Sequence, residues 1–371
     1  LSMRLVVWLT LCCALLAWGC GRDEPILIGY SGPLTGGRAD LGVQGRNGAT
    51  LAVEDINARG GIAGRPLKLV ACDDGATPAS AVEADAQLIK AGVSAIVGHM
   101  TSAQTLAALP QAAAAGLVMI SPTTATAELS GKKDLFFRVI PTNVTWGLAL
   151  AHHAAGAGRP TVCLLGDSDN LSYVQSFLDA FEQAYDEAGG HVACRRMFSS
   201  REGVDWAALL KAASKQGVKA VVAAASAKDV AALARAMDAA GVQLPILCPT
   251  WPYTREILTM GGRSVDGIVF AASYTEDNPR PRFQDFMRRY QERFGWPANF
   301  AAVYAYEAVE ILAAALGRTG GRVEGLPEAL LALGQQEGLM SPFVFDAYGD
   351  VHRQTFLVTI RNGRFSALEG D

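Results

Sequence analysis

Residues 95–109, AIVGHMTSAQTLAAL, join an apolar run to an Ala/Leu-rich helical stretch through Thr101, Ser102 and Thr105. A strand that feeds a helix through such a turn aims backbone N–H groups and a hydroxyl at one point, where an anion can sit. A second cluster, MISPTTATAEL at 119–129, supplies Ser121, Thr123, Thr124 and Thr126. In open α/β sheets ligands lie outside the carboxyl ends of the strands, where both clusters fall. Neither cluster contains Lys or Arg, so these donors suit a carboxylate better than a triphosphate. Each hydrogen bond to a charged group contributes about 1.5–3 kcal/mol. Helix capping alone explains one such loop; two loops at neighbouring strand ends point to a ligand.

Other chemistries lack their residues. No G-x-x-x-x-G-K-[ST] string is present, which a phosphate loop requires. Where a dinucleotide fingerprint would follow the first strand, the chain has GYSGPLTGG, and Pro33 removes a backbone donor. There is no G-x-S-x-G elbow. His99 stands at a strand end, and His152, His153, His191 and His352 form no metal-like grouping with carboxylates. His152 and His153 are adjacent and do not share a helix face. No metal, cofactor or enzymatic activity is expected. Of the seven cysteines, Cys72, Cys163, Cys194 and Cys248 lie in or beside apolar runs without C-x-x-C spacing. They read as buried thiols; an exported protein can oxidise one pair, and the sequence leaves open which.

The loops need a scaffold, and the pattern supplies one. Short apolar runs at 26–30, 67–71, 95–98, 117–121, 161–166, 220–225, 245–248 and 267–272 alternate with amphipathic stretches of helical length. This predicts parallel sheet covered by helices. The helix following Thr77 has that residue as N-cap and Pro78 at its first position. The rhythm breaks after 121 and after 274, and FVFDAYGD and QTFLVTIRNG near the end read as antiparallel strands. The length of 371 residues fits two domains. A formal charge of −4 and no basic run argue against a nucleic-acid partner. Residues 1–19 have the layout of a secretory leader, apolar after Arg4 and ending at Gly19-Cys20. This resembles a bacterial lipoprotein signal with Cys20 as the lipidated residue; a plain N-terminal anchor helix is the alternative.

The stretches GYSGPLTG, LAVEDINARGGIAGRPLKLVACDDGATP, AIVGHMTSAQT, MISPTTATAEL and FFRVIPTN follow one another in the order and spacing of the leucine/isoleucine/valine-binding protein family. The chain resembles that family over nearly all of its length beyond the leader, and EDINARGGIAGRPL is the most specific stretch. The resemblance implies two doubly wound α/β lobes of the periplasmic-binding-protein type I fold, joined by three crossings, with ligand in the cleft between them. With the leader at 1–19 and an anchor linker at 20–25, it implies lobe I at 26–141 plus 275–340 and lobe II at 142–274 plus 341–371. It further implies a monomeric receptor on the extracytoplasmic face, lipid-anchored to the membrane. Such a receptor passes an amino acid, branched-chain or related, or a similar small carboxylate to the permease of an ABC transporter. A ligand sensor acting on a signalling partner is the alternative use of the same fold.

By the same resemblance, Ser102 matches a hydroxyl that binds the ligand carboxylate, and Thr123 a backbone carbonyl that accepts from the ligand ammonium. Ala125 stands where a Thr often donates to the carboxylate, leaving its backbone N–H or the neighbours Thr124 and Thr126. Tyr173 matches a second-lobe tyrosine that closes over the ligand, and Ser226 replaces another tyrosine. Thr250, or Trp251 by a one-residue slip, stands where a glutamate faces the ammonium. A buried ammonium needs an acidic partner. Asp229 is the first candidate and Asp167 and Asp169 are others; if none reaches the cleft, the ligand is a simple carboxylate or amide, with Trp251 and Leu41 as an apolar wall.

Overall fold

A computed structural model describes residues 24–75, 77–214 and 216–368. The expected leader and the lipidation site Cys20 lie outside the described residues. The first half of the chain runs β1 (Ile26–Gly32), α1 (Ala39–Ala58), β2 (Leu67–Asp73), α2 (Pro78–Lys90), β3 (Ile96–Val97), α3 (Ser102–Ala114), β4 (Met119–Ser121) and β5 (Phe136–Arg138). Then come α4 (Val144–Gly156), β6 (Thr161–Asp167), α5 (Leu171–Glu187), β7 (His191–Phe198), α6 (Trp206–Ser214), β8 (Ala220–Ala224), α7 (Ala227–Ala239), β9 (Ile246–Pro249), α8 (Arg255–Gly261) and β10 (Val269–Ala272). The last part is α9 (Pro281–Phe294), α10 (Phe300–Arg318), α11 (Leu326–Leu331), β11 (Phe356–Arg361) and β12 (Arg364–Ala367).

The strands form two sheets. One is wholly parallel, in the order β2-β1-β3-β4-β5. The other runs β12-β11-β10-β9-β8-β6-β7, parallel from β10 through β7 and antiparallel at β11 and β12. Central strands such as β8 are buried along their whole length, as expected where helices cover both faces. Thr77 and Ser80 form a reciprocal capping box around Pro78 at the start of α2. Long, apolar α10 passes the length and composition test for a membrane span but is a buried core helix. It crosses α1 so closely that a Cβ on Gly48 would stand 2.1 Å from the Ala302 carbonyl oxygen.

Three segments pass between the sheets. Beyond β5 the chain enters α4, whose Trp146 indole donates to Ser273 Oγ just after β10, at 3.2 Å. Beyond β10 it returns to α9, whose Arg289 pairs with Asp55 of α1 at 2.7 Å. The third passage differs from the expected break at 340. Residues 343–351 stay against β5: Phe345 meets the Phe137 ring at 5.4 Å, and Asp350 pairs with Arg138 at 2.7 Å. The return therefore lies between Val351 and Phe356. The expected strand FVFDAYGD yields only isolated bridges, because Asp346 Oδ1 accepts from the N–H groups of Tyr348 and Asp350 and turns the chain there.

Strand β7 was not anticipated. It is a sheet edge with several exposed residues, Arg196 among them, and its apolar stretch beside Cys194 is short. It carries Cys194 beside Cys163 of β6, and the two form a disulfide. Cys72 and Cys248 remain free thiols. Closing a loop with a sequence separation of 31 stabilises the fold by about 3–4 kcal/mol in the chain-entropy estimate. Reduction with excess dithiothreitol is expected to lower the melting temperature by about 5–10 °C, and to have no such effect on a C163A/C194A variant. Calorimetric melts of both proteins check this.

Candidate functional site

The carboxyl ends of β3 and β4 in one sheet face those of β6 and β9 in the other, and a cavity lies between them. Ser102 opens α3, Thr123 follows β4, Asn170 and Tyr173 follow β6, and Thr250 and Trp251 follow β9. Leu41, Met100, Ile140, Trp146 and Phe300 complete its largely apolar wall. The enclosed volume is only about 20 Å³, room for a water. An organic solute does not fit in that volume.

Ser102 is fully buried, and its hydroxyl has no hydrogen-bond partner. Its helix has no side-chain N-cap bond, because the Thr101 hydroxyl is turned to Gln104 Oε1. The Gln104 amide in turn donates to Asp74 Oδ1 at 2.8 Å. The positive end of α3 and a free hydroxyl therefore face the cavity together. The other hydroxyls are committed internally. Thr123 donates to the Met100 carbonyl at 2.7 Å, Ser121 to the His99 carbonyl at 2.7 Å, and the Thr105 and Thr124 hydroxyls bond each other at 2.7 Å. They shape the loops rather than offer donors. Thr126 caps its own short turn and donates to Ser172 O.

Five of the eight ligand positions implied by the sequence thus meet at one cavity: Ser102, Thr123, Tyr173, Thr250 and Trp251. Thr250 turns its hydroxyl to Ala271 O at 3.0 Å. Tyr173 meets Trp251 edge to face at 5.5 Å, with its hydroxyl buried and unpartnered. Ala125 is buried but does not line the cavity, and its carbonyl accepts from Asn143 N–H at 2.8 Å. Ser226 and Asp229 lie elsewhere, on an outer cavity of about 240 Å³. There the Ser226 and Ser200 hydroxyls both donate to Asp229 Oδ2 at 2.5 Å. Asp167 pairs with Arg38 at 3.1 Å and Asp169 with Arg201 at 2.8 Å. No ionisable acid, lysine, arginine or histidine is among the described residues lining the inner cavity.

Several site residues escaped the sequence reading. Asn170 accepts from Ala103 N–H at 3.1 Å, joining α3 to the opposite lobe. Arg38 reaches from the β1–α1 loop over the Trp251 ring at 5.4 Å. Nothing local marks either; only the meeting of distant loops does. The glycine-rich GYSGPLTGG segment next to Arg38 was the available hint. His99, placed by the sequence only at a strand end, is flanked by carboxylates. Its Nδ1 lies 2.7 Å from Asp74 Oδ2, and its Nε2 lies 3.2 Å from Asp85 Oδ1 without hydrogen-bond alignment. All three side chains are buried, and the strand-to-helix turn that carries Ser102 rests on them. Burial works against a charged His99, but the contacts with Asp74 and Asp85 outweigh it and raise its pKa to about 9. Burial also raises Asp74, against the pull of His99. Two carboxylates around one imidazole carry a surplus negative charge, and the protonated ring relieves it.

A family model described as periplasmic binding protein matches residues 25–364. The leucine-, isoleucine-, valine-, threonine- and alanine-binding protein of Pseudomonas aeruginosa is 26% identical over 340 residues, covering 90% of this chain and 89% of its own. The leucine-binding protein LivK of Thermotoga maritima superposes with a TM-score of 0.86 at 25% identity, over 92% of this chain and 97% of its own. A solute-binding protein from R. palustris, solved in complex with benzoate, has the same fold, with a TM-score of 0.84 at 21% identity over 93% and 96% of the two chains.

The raised His99 pKa has a signed consequence. A folded-state value of about 9, above the ordinary 6.5, gives stability that is complete below pH 6.5 and lost as pH rises through 9. The melting temperature is expected to fall by several degrees between pH 6.5 and 9.5. A His99→Gln variant should be less stable at pH 6.5 and lack that slope. Differential scanning calorimetry across the range checks both.

Proposed function

The chain belongs to the periplasmic binding protein family, and on that premise we propose that it is an extracytoplasmic receptor for a small carboxylate with an apolar body and no α-ammonium. The receptor delivers this cargo to the permease of an ABC transporter, tethered to the membrane through lipid on Cys20. It is a solute-binding protein and not an enzyme, as its relatives are. The observation that carries the cargo class is Ser102: a buried, unpartnered hydroxyl at the open end of α3, in a cavity with aromatic walls and no acid among its described lining residues. The carboxylate takes the Ser102 hydroxyl and the helix end, and Trp146, Tyr173, Trp251 and Phe300 surround the rest. An α-ammonium there would meet no carboxylate, an expensive arrangement in a closed cleft. Asp229, the acid best placed by sequence to receive it, lines the outer cavity instead.

The relatives' names support a second reading, an aliphatic amino acid whose ammonium is held by backbone carbonyls such as that of Thr123. A matched pair separates the two. L-leucine and 4-methylpentanoate share a carbon skeleton and differ by the amine. Titration calorimetry on the purified protein is expected to give tighter binding of 4-methylpentanoate and of benzoate than of L-leucine. Ser102→Ala should weaken the acids by about 10–100-fold, the value of one hydrogen bond to a charged group. Tighter L-leucine than 4-methylpentanoate restores the amino-acid reading; binding indifferent to Ser102→Ala removes the site.

A further inference from the structure

The inner and outer cavities share no lining residue, yet one side chain touches the border from both sides. Arg38 lines the outer cavity, and its guanidinium lies over the Trp251 ring that walls the inner one. Its side chain is 13% exposed, and it pairs across the cleft with Asp167, which is fully buried. Asp167 is otherwise held by backbone: Oδ1 accepts from Asp169 N–H at 2.9 Å and Ser200 N–H at 3.4 Å, while Oδ2 is the atom that faces Arg38. Leu41, one helical turn beyond Arg38, belongs to the inner wall. The β1–α1 loop thus runs along the boundary, and Arg38 is the part of it that fills the gap between the lobes.

We propose that Arg38 is a specificity-determining residue: it divides the cleft and so limits the cargo to what fits the inner cavity. The proposal rests on the reading of that cavity as the carboxylate site. With Arg38 in place, a substituent extending past Trp251 must displace a guanidinium that lies over the ring and is paired with a buried carboxylate. Without it, the inner space opens toward about 240 Å³ of outer cleft. Asp167 Oδ2 then faces that space without its cation, and a buried carboxylate left unpaired favours any cation that can reach it. Arg38 therefore excludes long cargo by bulk and excludes cargo with a distal cation by charge. Its removal should admit the cationic kind most.

The test uses benzoate, 4-ethylbenzoate and 4-(aminomethyl)benzoate, titrated into the wild type, R38A, R38A/D167N and S102A. The wild type is expected to bind benzoate best. In R38A the affinity for 4-(aminomethyl)benzoate relative to benzoate should rise at least about tenfold, the value of one charge-assisted bond. The rise for 4-ethylbenzoate should be smaller, and R38A/D167N should lose the gain for the amine. If R38A melts too low to titrate, R38Q, shorter by two atoms along the chain and uncharged, should show the same change in reduced form. An unchanged ratio in R38A, or equal binding of all three acids by the wild type, overturns the proposal while leaving the carboxylate site intact. Binding that ignores Ser102→Ala overturns the carboxylate reading, and the R38A ratio still judges the divider. No binding of any acid to any of these proteins overturns both.

Discussion

A parallel sheet puts the carboxyl ends of all its strands on one edge, and here three passages of chain turn two such edges toward each other. Everything at the site depends on that constraint. Each βα turn must end in a loop at the shared edge, so side chains far apart in sequence converge: Ser102 from one lobe, Trp251 from the other. Helix N-termini converge with them, giving the region a positive bias without a single lysine or arginine among the described residues of the cavity wall. The sheets supply rigid positions and the loops supply the chemistry, the usual division of labour in open α/β proteins.

The interior around that edge is more polar than a core usually is, and its polarity is organised in layers. Nearest the cavity, most hydroxyls bond to one another or to backbone, as Thr123 does to Met100 and Thr124 to Thr105. Behind them, Asp74 receives Gln104 and His99 at once. This second layer carries formal charge, and the first does not. The arrangement keeps these charged groups one residue behind the cavity wall, where they hold the loop in shape. Ser102 and Tyr173 stand out because their hydroxyls have no such commitment.

Much of this was legible in the sequence. The strands and most of the helices follow from apolar runs and their spacing, and the Thr77-Pro78 cap predicted the start of α2 to the residue. Ser102 and Thr123 were visible because hydroxyls clustered where strands end. What escaped has physical reasons. Strand β7 is an exposed edge with only a short apolar stretch. The 343–351 segment alternates like a strand, yet Asp346 folds it into a turn. His99 stands 25 residues from Asp74, and Arg38 lies 129 residues from Asp167; no local pattern encodes such pairs. Ser226 was placed by its likeness to a ligand position and Asp229 as a nearby acid for an ammonium, but a cap bond at the start of α7 binds them to each other, and both line a different cavity.

Arg353 lies in the third passage and is gripped from the first lobe. Glu307 of α10 pairs with it at 2.5 Å, and its guanidinium lies 4.0 Å from the Phe343 ring centre and 5.1 Å from that of Tyr304. Strand β11 of the second sheet begins at Phe356. Only Gln354 and Thr355 separate a clamped residue from a paired strand. Any relative movement of the lobes must be absorbed there as torsion about a few bonds. So short a tether leaves the two sheets little slack to slide past each other at that point.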